Sequence, residues 1–540
     1  MKARSFLAVV LALGLLALSL GAVGWWLVWQ RGPLGLQHHP LSLPRAARFV
    51  PRQAPLSLYV LSDGEQPVAY ARAVAPARSR RQAAEAIERL RDGAFAAAGL
   101  DYRNELAAWL APDIGLALFD LPDAGSAGSM VRSDQDNGHW LLALRSRDGD
   151  GARRFVQRFW QTRSLAGTDL QVSSYRGMGL ISGRGALLGR PSVPLATALV
   201  DDDLLLIASG RGVLEQALDV SQVDELNQAA DPALQQRLAG LGDGVALLVA
   251  HAQGFGGGLG LPSASAAGAE LVASVRPDGP SLRVEALLQR PGDGDQATAA
   301  LPMAERRSLL AIAPGSSDRL GLLHDPAGLL GDPLLRPLVE RVAALMPGAG
   351  PLPPLLVAAA DGPLLVAEGP AGWLMATPAD HPTPQALEAP LAAAGLIPAP
   401  LEVEGRAVTV WTRLEADRSA RQDRSGVDRL QAPLEAWRSD LDGIALWGRS
   451  LALLEGAGGA RGAQRRERQL EGLEAGSAPI QWSLAAAPAR DLLRQWLPWR
   501  RLATLAGGPL DGELRGLAVA LEPAADGLRM RGWLDYGAAA

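Results

Sequence analysis

The chain has 540 residues, 48% of them hydrophobic, with 52 basic and 57 acidic side chains and a net charge of −5. It holds no cysteine, and its single lysine is Lys2, which excludes disulfides, thiolate catalysis, thiolate metal sites and any lysine Schiff base or phosphate-loop lysine in the rest of the chain. The first 52 residues carry six basic side chains and no acidic one, leaving 46 against 57 in the remainder, so the body is acidic and a nucleic-acid partner is not expected.

From Phe6 to Trp29 the chain is uncharged and almost wholly apolar. At about 1.5 Å per residue such a helix spans roughly 36 Å, enough to cross a hydrocarbon core. A signal peptide cleaved at Ala22-Val23-Gly24 is the rival reading. Cleavage there would expose Trp25-Trp26-Leu27-Val28-Trp29 as a new terminus, whereas three indoles suit the interfacial belt of a retained helix. Lys2 and Arg4 make residues 1–5 a short cytoplasmic tail and put the body on the periplasmic or lumenal side of a cell or thylakoid membrane, although Arg31, Arg45 and Arg48 make the charge bias shallow. Gly14, Ala17, Gly21 and Gly24 share one helix face, the small-residue pattern along which two membrane helices approach closely.

Residues 30–55 are Pro-rich, without helical or strand periodicity, and read as a stalk. A first strand follows at Leu56–Leu61. Ser79 and Gln82 stand at capping-box spacing before a helix whose apolar stripe is Ala83, Ile87, Leu90, Ala94 and Ala97, with Gly99 at its stop. Asp101 caps a second short helix to Leu110, and Ile114–Phe119 returns as a strand. Trp140–Leu144 reads as a strand, and Ala152, Phe155, Val156, Phe159 and Trp160 mark a buried helix face. Strands at Leu170–Tyr175, Ala196–Val200 and Leu204–Ala208 precede helices starting near Gly212 and at Asp231-Pro232. Two long strands then flank the turn Arg276-Pro277-Asp278-Gly279.

Leu271–Leu288 lines up without a gap against Leu517–Leu534. Trp140-Leu-Leu-Ala matches Trp373-Leu-Met-Ala, Leu170-Gln-Val matches Leu401-Glu-Val, and Gly210-Arg211 matches Gly448-Arg449, all in the same order. This points to a tandem duplication, with a first α+β repeat at 56–290, a second at 299–540, and a boundary in Gln289–Thr298. Paired strands on short turns favour mostly antiparallel sheets. The expected fold is therefore α+β: an N-terminal transmembrane helix followed by two tandem, homologous α+β halves. Gly254–Gly260 and Gly456–Pro479 read as exposed excursions.

Motifs for chemistry are thin. The six histidines, His38, His39, His139, His251, His324 and His381, form no metal-binding pair. Gly448-Arg449-Ser450-Leu451-Ala452 approximates a nucleophile elbow but ends in Ala, and no histidine follows His381. Gly183–Gly189 has one residue too many for a dinucleotide fingerprint, and Pro191 and Pro194 break the helix that should follow. Asp134, Asp136 and Asn137, or Asp148 and Asp150, could cup calcium but lack the full loop. No catalytic residue, cofactor or metal site is assigned. The most distinctive segment is Arg490–Arg501, where Arg494, Trp496, Trp499, Arg500 and Arg501 form a candidate membrane or partner contact. Its bland alternative is a helix stripe of Leu492, Leu493, Trp496 and Leu497 facing a core.

The anchor, Ala54-Pro55-Leu56-Ser57-Leu58-Tyr59, Gly99-Leu100-Asp101-Tyr102, and Trp109-Leu110 before Gly115-Leu116-Ala117-Leu118 resemble a family of membrane-anchored, mainly cyanobacterial proteins catalogued only as a domain of unknown function, most clearly over residues 45–290. Ala111 stands where that pattern has Gly. The resemblance implies a plasma or thylakoid membrane setting and no mechanism. The expected function is a non-enzymatic, single-pass protein whose body binds a partner as a scaffold or assembly factor, in contact with the lipid bilayer through Phe6–Trp29 and with a membrane-protein partner. The alternatives are a carrier of an apolar ligand such as a lipid or pigment, and a carboxylate-based hydrolase.

Overall fold

The structure is a computed structural model that describes residues 32–120, 138–165, 169–185, 193–261, 268–289, 300–332, 335–337, 339–340, 350–379, 381–403, 405–416, 430–456, 464–524 and 527–537. The first ten strands are β1 (Leu56–Val60), β2 (Leu110–Leu118), β3 (Trp140–Ser146), β4 (Leu170–Tyr175), β5 (Met178–Gly185), β6 (Val193–Val200), β7 (Leu204–Ala208), β8 (Ala246–His251), β9 (Glu270–Asp278) and β10 (Ser281–Gln289). The remainder are β11 (Arg319–His324), β12 (Pro363–Gly369), β13 (Gly372–Pro378), β14 (Ile397–Val403), β15 (Arg406–Thr412), β16 (Glu415–Ala416), β17 (Leu430–Gln431), β18 (Leu434–Leu441), β19 (Ile444–Gly448), β20 (Ile480–Ala485), β21 (Gly516–Ala524) and β22 (Gly527–Asp535).

Twenty of these form one sheet, and β16 and β17 pair apart from it. The ladders give the order β4-β5-β6-β7-β3-β2-β1-β8-β9-β10-β22-β21-β20-β11-β12-β13-β19-β18-β15-β14, antiparallel throughout. This corrects the expected fold class. The chain does not divide into two halves with sheets of their own, because β10 pairs with β22 over nine residues and fuses everything into one continuous sheet. No described helix is long and apolar enough to cross a membrane. The run Phe6–Trp29, with Gly14, Ala17, Gly21 and Gly24, lies outside the described residues. Outward from the β10–β22 ladder the succession of strands is the same on both sides. Glu285 and Arg531, equally placed within the matched segments, face each other at its middle.

Strand alternation sends successive side chains to opposite faces, and both faces are covered. On one face Tyr59, Leu141, Leu206 and Leu247 pack with Leu214, Leu218, Leu234 and Leu238 of the helices Arg211–Val220 and Pro232–Leu241. On the other, Leu142, Leu144, Leu205 and Ile207 pack with Phe155, Phe159 and Trp160 of the helix Gly149–Leu165. Beyond the seam, Leu320, Leu365, Leu374 and Trp437 fill one face and Leu364, Val366, Trp373 and Trp447 the other. Each large apolar side chain so buried contributes about 1.5–3 kcal/mol.

Residues read as a stalk are part of this core. Arg45–Phe49 is a 3-10 helix, and Ala46, Ala47, Phe49, Val50 and Ala54 are buried; its tighter winding hides the period expected of an α-helix. The helix Arg80–Ala97 forms, but Ala84 and Phe95 are its buried residues while Ala94 and Ala97 are exposed. Phe95 stacks on Tyr102 with ring centroids 5.4 Å apart, and that aromatic contact sets the rotation of the helix. Ser79 donates to the Pro76 carbonyl rather than capping the helix.

All five tyrosines have phenol pKa values above the ordinary range. Burial raises Tyr59, Tyr70, Tyr536 and Tyr102, the last to about 12, while the hydrogen bond to Asp219 raises Tyr175. A raised folded pKa contributes stability that is present below the unfolded value near 10 and is lost as pH climbs through the folded one. Tyrosinate absorbance should therefore lag past about pH 10 and rise together with loss of near-ultraviolet dichroism by about pH 12. Full titration near pH 10 with the fold intact would contradict this.

Candidate functional site

The helices Ala486–Gln495 and Leu497–Leu505 follow β20 and lie over the central strands. Their inward side chains, Ala489, Leu493 and Trp499, join Leu282, Val284, Leu484, Leu517 and Leu534 in one cluster. Pro498 in the first turn restarts the second helix where its missing N–H costs nothing.

The break between the two helices turns Trp496 outward. It is 43% exposed, and its indole N–H donates to the Leu259 carbonyl at 2.9 Å. Leu502, further along the second helix, and Leu261, two residues beyond that carbonyl in sequence, are also exposed. Arg500 and Arg501 are exposed on the same helix, and Arg501 Nη1 reaches the Gly258 carbonyl at 3.5 Å. The exposed indole and the Arg501 guanidinium thus both bond to carbonyls of the 255–259 segment, with Arg500 exposed on the same helix, a composition suited to a protein hot spot or an acidic surface.

The five residues named from the sequence part company here. Trp499 is 8% exposed and belongs to the core. Arg494 ties down Asp511, which is 1% exposed, at 2.8 Å. Trp496, Arg500 and Arg501 are exposed, and Arg494, although its side chain is 59% exposed, is engaged with that buried carboxylate. Leu259 was not legible as a neighbour, since it bonds to Trp496, 237 residues later in the chain. The Gly-rich segment expected to be an exposed excursion is instead buried from Gly254 to Leu259. A Cβ on Gly254 would land on the Pro55 carbonyl, which is why glycine stands there. Within Gly456–Pro479, Arg466, Gln469 and Leu470 are buried too. Arg466 donates to Gln469 at 2.7 Å, and burial lowers the pKa of its guanidinium.

On the opposite face of the seam, a cleft of about 230 Å³ is lined by Leu241, Gly242, Asp243, Ser274, Arg276, Arg283 and Glu285. Arg283 is held by Asp278 at 2.6 Å and the Gly472 carbonyl at 2.8 Å. A wider depression is lined by Arg72, Ala73, Arg80, Arg81, Glu85 and Glu88. Both are walled by charge, unlike the greasy cavity an apolar ligand requires.

Among the described residues no three side chains gather as metal ligands. Asp148 and Asp150 face Arg154 and Arg153 at 3.3 and 2.8 Å, and Asp134, Asp136 and Asn137 lie outside the described residues. His381 pairs with Asp361 at 3.1 Å, both on the surface. Gly448 closes β19 beneath Trp437, whose indole donates to the Ser450 carbonyl at 2.9 Å, so this segment makes a packed strand end rather than a nucleophile turn.

A family model described as a protein of unknown function, DUF3352, matches residues 9–301. Among solved structures, one titled "Structure of crystal form I of TP0453" aligns at 9% identity over 47% of this chain and 81% of its own, with a TM-score of 0.26. No curated protein matches.

Proposed function

The chain belongs to DUF3352, a family of proteins of unknown function, and from that premise we propose a non-enzymatic binding protein, a scaffold or assembly factor, that meets its partner through the Trp496 face. The observation that carries this reading is the outward turn of Trp496 at the start of the helix that exposes Arg500 and Arg501, while Trp499 and Leu493 are buried in the core. Attachment to the lipid bilayer through Phe6–Trp29, with the body on the periplasmic or lumenal side of a cell or thylakoid membrane, is proposed on the sequence of that run alone.

The test is affinity purification of the full chain after mild detergent extraction, comparing the natural protein with Trp496→Ala and the double variant Arg500→Ser, Arg501→Ser. Hot-spot truncations cost about 2 kcal/mol or more, so partner recovery should fall at least tenfold in Trp496→Ala, which also loses the bond to Leu259, and should fall in the arginine double variant with its thermal midpoint unchanged. Equal recovery by both variants would overturn the assignment of this face.

A further inference from the structure

The two outermost strands of the sheet are finished differently. Among the described residues β14 pairs only with β15, and β4 only with β5. In β14, Val403 stands opposite Arg406 across a two-residue connection. In such a hairpin the flanking pair is hydrogen-bonded, and alternate residues then aim their backbone groups outward. The outward positions of β14 are Pro398, Pro400 and Glu402. Two of them have no N–H and the third is charged, which is how natural edges are blocked.

In β4 the same counting starts from Tyr175 opposite Met178, with Arg176 and Gly177 in left-handed conformation between them, as a type I′ turn requires. The outward positions are Leu170, Val172 and Ser174. None is proline and none is charged, their backbone groups bond to no other described residue, and Val172 is 78% exposed. An open, uncharged edge of this kind is a template for another strand.

We propose that β4 pairs with β4 of a second copy of this chain, extending the sheet across a two-fold axis at Val172. Antiparallel pairing with Val172 opposite itself sets Leu170 opposite Ser174, so all three outward positions on each copy bond and six backbone hydrogen bonds form. The same register sets Asp169 of one copy opposite Tyr175 of the other at both ends, and the uncharged stretch between them brings no like charges together. A self-complementary patch is what a two-fold interface demands.

Because the chain is free of cysteine, the register can be read directly. Opposed Cα atoms in a hydrogen-bonded pair lie about 5.5 Å apart, within the roughly 4.4–6.8 Å that a disulfide spans. Val172→Cys in the full chain in detergent should therefore cross-link to a dimer on mild oxidation. Ser174→Cys, with its two copies roughly 13 Å apart at 3.3 Å per residue, should not. Sedimentation velocity of the natural chain should show a concentration-dependent dimer, with its midpoint raised at least tenfold by Val172→Pro, which copies the Pro400 device without touching the β4–β5 ladder. Val172→Lys serves if the proline variant does not fold. A natural chain that stays monomeric at every concentration would overturn the proposal, and so would equal cross-linking of the two cysteine variants.

Discussion

Replacing Gly93 by alanine should destabilise the body by about 2 kcal/mol, although alanine normally favours a helix interior over glycine by about 1 kcal/mol. Gly93 lies inside the helix Arg80–Ala97, where alanines fill many of the neighbouring positions. A Cβ at this position would land on the backbone carbonyl oxygen of Leu505, at the end of the helix that carries Arg500 and Arg501. A flexible side chain could swing away, but a carbonyl can yield only if its helix shifts, so overpacking outweighs propensity. The shift should have a local signature, because Arg500 and Arg501 are tryptic sites and cleavage after them should accelerate before the body unfolds. Gly179→Ala, with nothing within 4 Å of the added carbon, is the control and should stay within about 0.5 kcal/mol. Unchanged stability and unchanged cleavage in Gly93→Ala would mean that the two helices are not locked together.

How much of this was legible depended on how local each signal is. The strands Leu170–Tyr175 and Leu204–Ala208 coincide with β4 and β7, because alternation and turn residues act over a few positions. Three of the four matched segments occupy corresponding strands, Trp140 and Trp373 in β3 and β13, Leu170 and Leu401 in β4 and β14, and Leu271 and Leu517 in β9 and β21, while Gly210-Arg211 and Gly448-Arg449 stand at the ends of β7 and β19. The fusion of β10 with β22 was not legible, since Glu285 and Arg531 meet across 246 residues and no pattern in either strand announces its partner. At the Trp–Arg segment the sequence offered two readings, core stripe and exposed contact, and the structure divides them by residue. Trp499 goes in and Trp496 goes out because Pro498 restarts the helix and rotates its register.

The seam also explains where binding surface can arise in a molecule that is otherwise well covered. Helices lie over both faces of each flank, but at β10 and β22 the covering segments come from distant parts of the chain and abut without merging. Phe255–Leu259 approaches from one side and Leu497–Leu505 from the other, joined by the Trp496 to Leu259 hydrogen bond. Polar groups that close a gap between two segments stay partly wet, and the exposed indole and guanidinium groups sit where the two meet.

Arg494→Ala should cost about 2 kcal/mol of stability, whereas Arg500→Ala and Arg501→Ala should each stay within about 0.5 kcal/mol. Arg494 holds Asp511 at 2.8 Å, and Asp511 is 1% exposed. Removing the guanidinium leaves a buried carboxylate without its counter-charge, a change that costs roughly 3–5 kcal/mol when both partners are buried. Here the arginine side chain is 59% exposed, so water replaces part of the lost interaction and the expected cost falls below that range. Arg490, which donates to the carbonyls of Asp511, Gly512 and Leu514 at 2.9 Å, keeps the loop in place and should prevent outright unfolding. Asp511→Asn, which removes the buried charge but keeps a polar group, should recover most of the loss when combined with Arg494→Ala. That non-additivity is the decisive reading from urea titration of the four proteins. If the double variant is instead as unstable as the sum of the singles, Arg494 is not serving Asp511, and its place belongs with Trp496, Arg500 and Arg501 on the binding face.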